Sequence, residues 1–239
     1  MPPKARFSKL KAWSYSVYTQ YNNCPFSVCL DKIVRVRMPE TKSPGMERGT
    51  MVHKAAEEYV SGTGRAPKLI EELEKFKEHF TDFRKAGASV EGEWAFTAKY
   101  GVTGWFDDDC WLRVKVDACK AVAAPTPIVH IVDYKTGRVY PEHKQQRSLY
   151  ALAGLQLVKL GRLLNGDVKV QLTASHLYTD TGQTATERYT MAQLEPLKRE
   201  WGDRTKQMLN DTVFPTKTGR HCAWCKHAKS KGGSCPENR

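Results

Sequence analysis

A carboxylate and an ammonium two residues apart, at the end of an apolar β-branched run, are the residues in this sequence best suited to chemistry. Ile128-Val129-His130-Ile131-Val132 suits a strand buried within a sheet, and Asp133, Tyr134, Lys135, Thr136 and Gly137 follow it. Strand side chains alternate with period two, so Asp133 and Lys135 share a face. Sixteen residues earlier, Asp117 closes the alternating run Leu112, Val114, Val116. A neighbouring strand would set its carboxylate beside that of Asp133. Two carboxylates at one point repel unless a proton or cation separates them. Hard oxygen donors suit Mg²⁺ or Mn²⁺. Asp-x-Lys alone also makes ordinary surface ion pairs, so its company carries the weight.

That company lies on helices. His53 and Glu57 are four apart in the run 49–60, and Gln146 and Tyr150 are four apart in the run 142–160. Each pair points one way and can face the same ion or its ligands. An imidazole ligand from His53 shifts the preference towards Mn²⁺. A second group is cysteine-based: Cys222-x-x-Cys225, then Cys235-Pro236, with Cys24-Pro25 near the other end. Three thiolates with a fourth in reach suit a metal, and His221 and His227 flanking the pair keep a structural Zn²⁺ open.

The elements that must position these groups read as follows. A helical run extends from Ser14 to about 37, broken at Cys24-Pro25, and a helix over 49–60 ends at Gly62 and Gly64. An amphipathic helix over 68–85 carries Leu69, Leu73, Phe76, Phe80 and Phe83. Strands follow near 91–99, 102–106, 111–118 and 128–132, then the helix 142–160, strands at 168–178 and 184–190, and a helix over 191–210. With the segment 62–87 set aside as a helical insertion, the order is helix, three strands, helix, strand, an α/β layer around a mixed sheet. The chain of 239 residues reads as one domain, 1–239, ending in a Cys-rich tail over 211–239 that packs with the segment around Cys24.

Lys and Arg number 38 against 26 Asp and Glu, a net charge of +12. Such a surplus attracts polyanions, nucleic acid above all, with a membrane surface as the weaker alternative. No stretch approaches the roughly 18 apolar residues that cross a bilayer, and the start lacks a secretory hydrophobic run, so neither a span nor a signal peptide is expected. Seven cysteines, an odd number without such a signal, fit a reducing compartment. Cys29, Cys110 and Cys119 read as small buried residues. Trp13, Tyr15, Tyr18, Tyr21 and Trp224 are candidates for stacking on unpaired bases.

In order, Gly49-Thr50 to His53, Asp117 within Val-Lys-Val-Asp-Ala-Cys-Lys, Asp133-Tyr134-Lys135-Thr136-Gly137, and Gln146 with Tyr150 resemble the RecB-like branch of the PD-(D/E)XK nuclease superfamily. The resemblance spans about 14–178. It implies a restriction-endonuclease-like αβββαβ core and a Mg²⁺- or Mn²⁺-dependent deoxyribonuclease, an exonuclease of recombination, repair or phage DNA metabolism. His53, Asp117, Asp133 and the Tyr134 carbonyl would bind the metal, Lys135 would orient water or stabilise phosphate charge, Gln146 and Tyr150 would support the site, and Glu93 would stand behind it. The family carries a Gly a few residues before its motif Asp, where this chain has Arg113 and Lys115. Asp107-Asp108-Asp109 is therefore the alternative to Asp117, with strand context favouring Asp117. The cysteine pattern resembles the iron–sulfur nucleases of that branch, the Cas4 and AddB types, which implies a [4Fe–4S] cluster on Cys24, Cys222, Cys225 and Cys235, with Zn²⁺ as alternative. The implied partner is DNA, as single strand or duplex end, with a helicase or recombinase as further candidate and a cytoplasmic or nucleoid setting. A nucleic-acid-binding module without cleavage, held by zinc, is the rival function.

Overall fold

Ser14 starts the first helix, its hydroxyl accepting from Val17 N at 3.4 Å. Helix α1 (Tyr15–Asn23) stops where Cys24 turns extended, and Pro25, which has no N–H to lose, opens the four-residue α2 (Pro25–Val28). A π-helical segment, Cys29–Val34, follows and closes on Arg35 in the left-handed conformation (φ 60°). The structure, a computed structural model, describes residues 6–39, 43–62, 68–123, 125–164 and 169–237.

Helix α3 (Pro44–Ser61) begins five residues before the sequence signal at Gly49, because Ser43 caps it and Pro44 presets its first turn. It ends on Gly62 at φ 68°; Gly64 lies outside the described residues. The single helix expected over 68–85 is two, α4 (Glu71–Glu74) and α5 (Lys77–Lys85), divided at Phe76. Leu73, Phe80 and Phe83 are all buried against α3 and Tyr134 in one cluster. Packing, not helix propensity, decides where each points.

Six strands form one sheet: β1 (Ser89–Phe96), β2 (Val102–Thr103), β3 (Leu112–Val122), β4 (Ile128–Lys135), β5 (Gln171–Tyr178) and β6 (Gln183–Thr190), in the order β2-β1-β3-β4-β5-β6. All neighbours are antiparallel except β4 and β5. A parallel pair needs a crossover, and helix α6 (His143–Lys159) supplies it. The sheet is therefore mixed and flanked by helices, as the sequence suggests. Strand β3 runs past its expected end at 118 to Val122, paired with β4 from Ala118 onward. Val168, the expected start of the fifth strand, lies outside the described residues, and β5 begins at Gln171.

Helix α6 is buried without interruption from Arg147 to Val158, because the sheet covers one side and helix α7 (Leu194–Asn210) part of the other. Trp13, Tyr18 and Tyr21 of the N-terminal segment are core residues of this layer, and Trp13 stacks on Trp201 at 5.7 Å. They are not available to bases, which corrects that expectation; Tyr15 is half-buried and only Trp224, 76% exposed, stands clear. Cys29, Cys110 and Cys119 are buried as expected. Among the described residues no helix is long and apolar enough to cross a membrane.

Candidate functional site

Asp117 sits where β3 changes face. Val114 and Val116 belong to the core under α6, yet Ala118 belongs to the cluster under α3 and Cys119 returns to the first. Across the ladder, Gly92 pairs with Val116 and Val90 with Ala118, leaving Glu91 opposite Asp117 with its backbone at φ 50°. A non-glycine residue held there inside a strand is uncommon, and such outliers gather at working sites. The break turns the Asp117 carboxylate towards the end of the sheet: its Oδ2 accepts from Tyr134 N at 2.6 Å and its Oδ1 lies 3.2 Å from His53 Nδ1. Asp107, the alternative acid, accepts from Gly104 N at 2.7 Å in a loop closure away from this cluster.

Asp133 is buried and faces α6. Its Oδ1 accepts from the Tyr150 hydroxyl at 2.5 Å and from Gln146 Nε2 at 3.5 Å, and Gln146 also donates to Tyr150 at 2.6 Å. Lys135 Nζ stands 2.6 Å from Oδ2, the shared face that period-two alternation demands. This contact is an ion pair outside hydrogen-bond geometry, so Oδ2 is a buried oxygen with no hydrogen bond. His53, Asp117, Asp133, Lys135, Gln146 and Tyr150 are thus brought together. Tyr134 contributes its N–H to Asp117, while its ring is buried beneath α3. Glu57 lines the same cleft of about 1010 Å³ as His53 and Asp117. Glu93 does not reach this group: it is exposed, facing Lys115 in the ladder, and Lys115 ion-pairs with Glu91 instead. The pleat explains the difference, since the strained Glu91 points where a regular strand would not send it.

The two acids titrate apart. Burial, then the Asp133 charge, raises the Asp117 pKa against the opposing pull of His53. Burial pushes Asp133 the same way, but Lys135 outweighs it and holds it below the usual carboxylate range. His53 is raised: burial opposes, and its bond to Asp117 wins. Hard carboxylate oxygens and an imidazole are a donor set suited to a divalent ion, with Lys135 now on the Asp133 Oδ2 that would face it. As the side chains stand, no group of three or more His, Cys, Asp or Glu among the described residues is arranged to hold one.

Several site residues escape sequence reasoning. His176, fully buried, is the register partner of Asp133 across the parallel pair, with Nε2 3.8 Å from Asp133 Oδ2. Burial drives its pKa down to about 3, so it is neutral, and Arg147 Nη1, 3.0 Å from Nδ1, fixes the proton on Nε2. Arg147 is held in turn by Glu187 of β6. Register between β4 and β5 is the missing signal; a His in an alternating strand carries no mark of its neighbour.

The cysteines form a second locus. Cys24, Cys222, Cys225 and Cys235 all line one cavity of about 370 Å³. The segment beyond α7 runs back along α1 and α2, with Phe26 N donating to Pro215 O at 3.3 Å and Lys217 Nζ to Asn22 O at 2.7 Å. His221 and His227 line the cavity too, with their Nε2 atoms engaged by Lys217 O at 2.9 Å and Asp31 Oδ1 at 2.7 Å.

The family model described as the PD-(D/E)XK nuclease superfamily matches residues 12–109 and 90–230, and so covers the acidic cluster and three of the four cysteines, Cys235 lying beyond it. The chain belongs to the PD-(D/E)XK nuclease superfamily. Nuclease action on DNA with divalent metals is the chemistry of that superfamily. A solved structure titled "Crystal structure of SSO0001" is similar at 13% identity and a TM-score of 0.35, covering 92% of this chain and 84% of that one. No curated protein matches the sequence.

Proposed function

We propose that this chain is a Mg²⁺- or Mn²⁺-dependent deoxyribonuclease of exonuclease type, working in recombination, repair or phage DNA metabolism, where a helicase or recombinase would deliver the strand. One observation carries the reading: Asp117 and Asp133, from separate strands, meet at the end of the sheet with Lys135 on one and His53 on the other. His53, Asp117, Asp133 and the Tyr134 carbonyl would hold the ion. When bound, a divalent ion supplies a nucleophilic water at neutral pH and neutralises phosphate charge.

The chain's own residues do the rest. Lys135 adds a cation where negative charge grows on the reacting phosphate. Tyr150 and Gln146 donate to Asp133 Oδ1 and so keep this carboxylate ionised and its plane fixed. His53 presents its ring on the rigid turn of α3 that follows Gly49 and Thr50. The test uses end-labelled linear and circular DNA with Mn²⁺, with Mg²⁺ and with EDTA. Linear DNA shortens from its ends, circles resist, and EDTA stops the reaction. Asp117→Ala and Lys135→Ala each lower cleavage at least about 100-fold while DNA binding persists; full activity in either purified variant overturns the assignment.

We also propose a [4Fe–4S] cluster on Cys24, Cys222, Cys225 and Cys235. Its support is that all four thiols line one cavity. Anaerobically purified protein should be brown and hold iron. A colourless protein with stoichiometric zinc would replace this reading with the zinc site.

A further inference from the structure

We propose that a second groove, on the N-terminal side of β3, binds single-stranded nucleic acid and leads it to the cleft. The groove holds about 870 Å³ and lies between the segment before α1, the π-helical segment and the loop that precedes β3. Lys9, Lys11, Lys32, Arg35, Arg37 and Arg113 line it. With Lys226 that is seven cations against the three carboxylates Asp31, Asp107 and Asp108. Two of the acids are committed: Asp31 to Lys226 and His227, Asp107 to Thr103 and Gly104 N. Lys11, Lys32, Arg35 and Arg37 are exposed, so the surplus faces solvent.

Two further observations mark this surface as built for a ligand. The backbone beneath it is a six-residue π-helix ending in a left-handed arginine, an arrangement that a helix does not adopt for its own stability and that gathers at functional positions. At the rim, Phe106 is 88% exposed, with the Arg113 guanidinium 6.0 Å from its ring centroid. An aromatic face beside a cationic track is what unpaired bases stack on, and a duplex, whose bases are already stacked, offers no such face.

Strand β3 joins groove to cleft. Its outward positions alternate as Arg113, Lys115 and Asp117, with Leu112, Val114 and Val116 buried between them. Arg113 lines the groove and Lys115 lines the cleft, and Asp117 lies four steps along the strand from Arg113, about 14 Å at ~3.4 Å per step. A strand seated in the groove therefore has Arg113 and then Lys115, which Glu91 holds, between it and the two acids. The proposal rests on the nuclease reading only for what happens at those acids.

The test measures binding in EDTA, where no cleavage occurs, by fluorescence anisotropy with oligothymidylates of increasing length. In the double variant Lys32→Glu/Arg35→Glu the long oligomers lose at least about tenfold in affinity, and the slope of log K against log salt falls by about 1.4, at ~0.7 per lost phosphate contact. Phe106→Ala weakens binding about fivefold or more with the salt slope unchanged. Arg199→Glu/Lys206→Glu, on α7 and outside the groove, makes the same change of four charges and controls for net charge, and far-UV circular dichroism with thermal melting confirms that each variant is folded. Wild-type affinity and salt slope in the double variant overturn the proposal. So does a Phe106→Ala protein that binds as wild type while duplex competes as well as single strand. Loss of binding to phosphatidylserine vesicles with oligothymidylate binding intact would make the groove a membrane face and overturn it likewise. A chain inactive with Mn²⁺ on every DNA tested would sink the nuclease reading and leave these binding results standing.

Discussion

Tyr150 shows how much one hydroxyl settles. It donates to Asp133 Oδ1 at 2.5 Å from a site without solvent, and burial together with the two nearby carboxylates raises its own pKa well above the usual value, so it stays a donor. Tyr150→Phe leaves Asp133 with Gln146 alone on that oxygen. A hydrogen bond to a charged group contributes about 1.5–3 kcal/mol, and the variant should lose that much in urea unfolding and need more Mn²⁺ for half-maximal cleavage. Wild-type stability and metal response together would show that Tyr150 is a bystander. The spacing of Gln146, Tyr150, Asp133 and Lys135 was legible because helix and strand periods act on neighbours in sequence. His176 and Glu91 were not, since one depends on the register of two strands 43 residues apart and the other on a backbone angle.

At the scale of elements, boundaries fell where tertiary contacts overruled local pattern. The broken helix over 68–85 and the continuation of β3 beyond 118 both follow the second core under α3, which no single segment announces. The tail is set by one close approach. A Cβ at Gly233 would lie 2.2 Å from the His227 carbonyl carbon and 2.3 Å from its oxygen, and backbone cannot move aside cheaply. Gly233 N donates to Ala228 O and Cys235 N to His227 O, so this turn aims Cys235. Gly233→Ala should therefore free Cys235, read as at least one thiol reacting faster with dithionitrobenzoate while the far-UV circular dichroism holds. Unchanged thiol kinetics would mean that the turn tolerates the methyl.

Across the whole molecule, Asp31 fastens the two ends of the chain. Its carboxylate takes Gln20 Nε2 at 2.7 Å, Lys226 Nζ at 2.8 Å and His227 Nε2 at 2.7 Å. Burial works against the charge, but these partners, Lys226 first, hold the pKa below its ordinary value. A carboxylate depressed in the folded state contributes stability that is complete above the unfolded pKa of about 3.9 and is lost as pH falls through the lower folded value. Asp31→Asn should thus flatten the acid limb of the melting-temperature profile below about pH 4 and cost about 1–2 kcal/mol at pH 7. An acid limb unaltered by the substitution would place the coupling elsewhere. The mixed sheet and its crossover helix were readable from the order of apolar runs; the embrace of head and tail was hinted at only by where the cysteines fall.

That embrace sets a timetable for synthesis. Cys24 leaves the ribosome 198 residues ahead of Cys222, an interval of about 10–40 s at 5–20 residues per second. For that time its thiol has no mates, and the helix it ends cannot acquire its final neighbours. Assembly of the proposed cluster therefore waits on translation through Cys235, and until then Cys24 stays a lone thiol that a reducing environment protects.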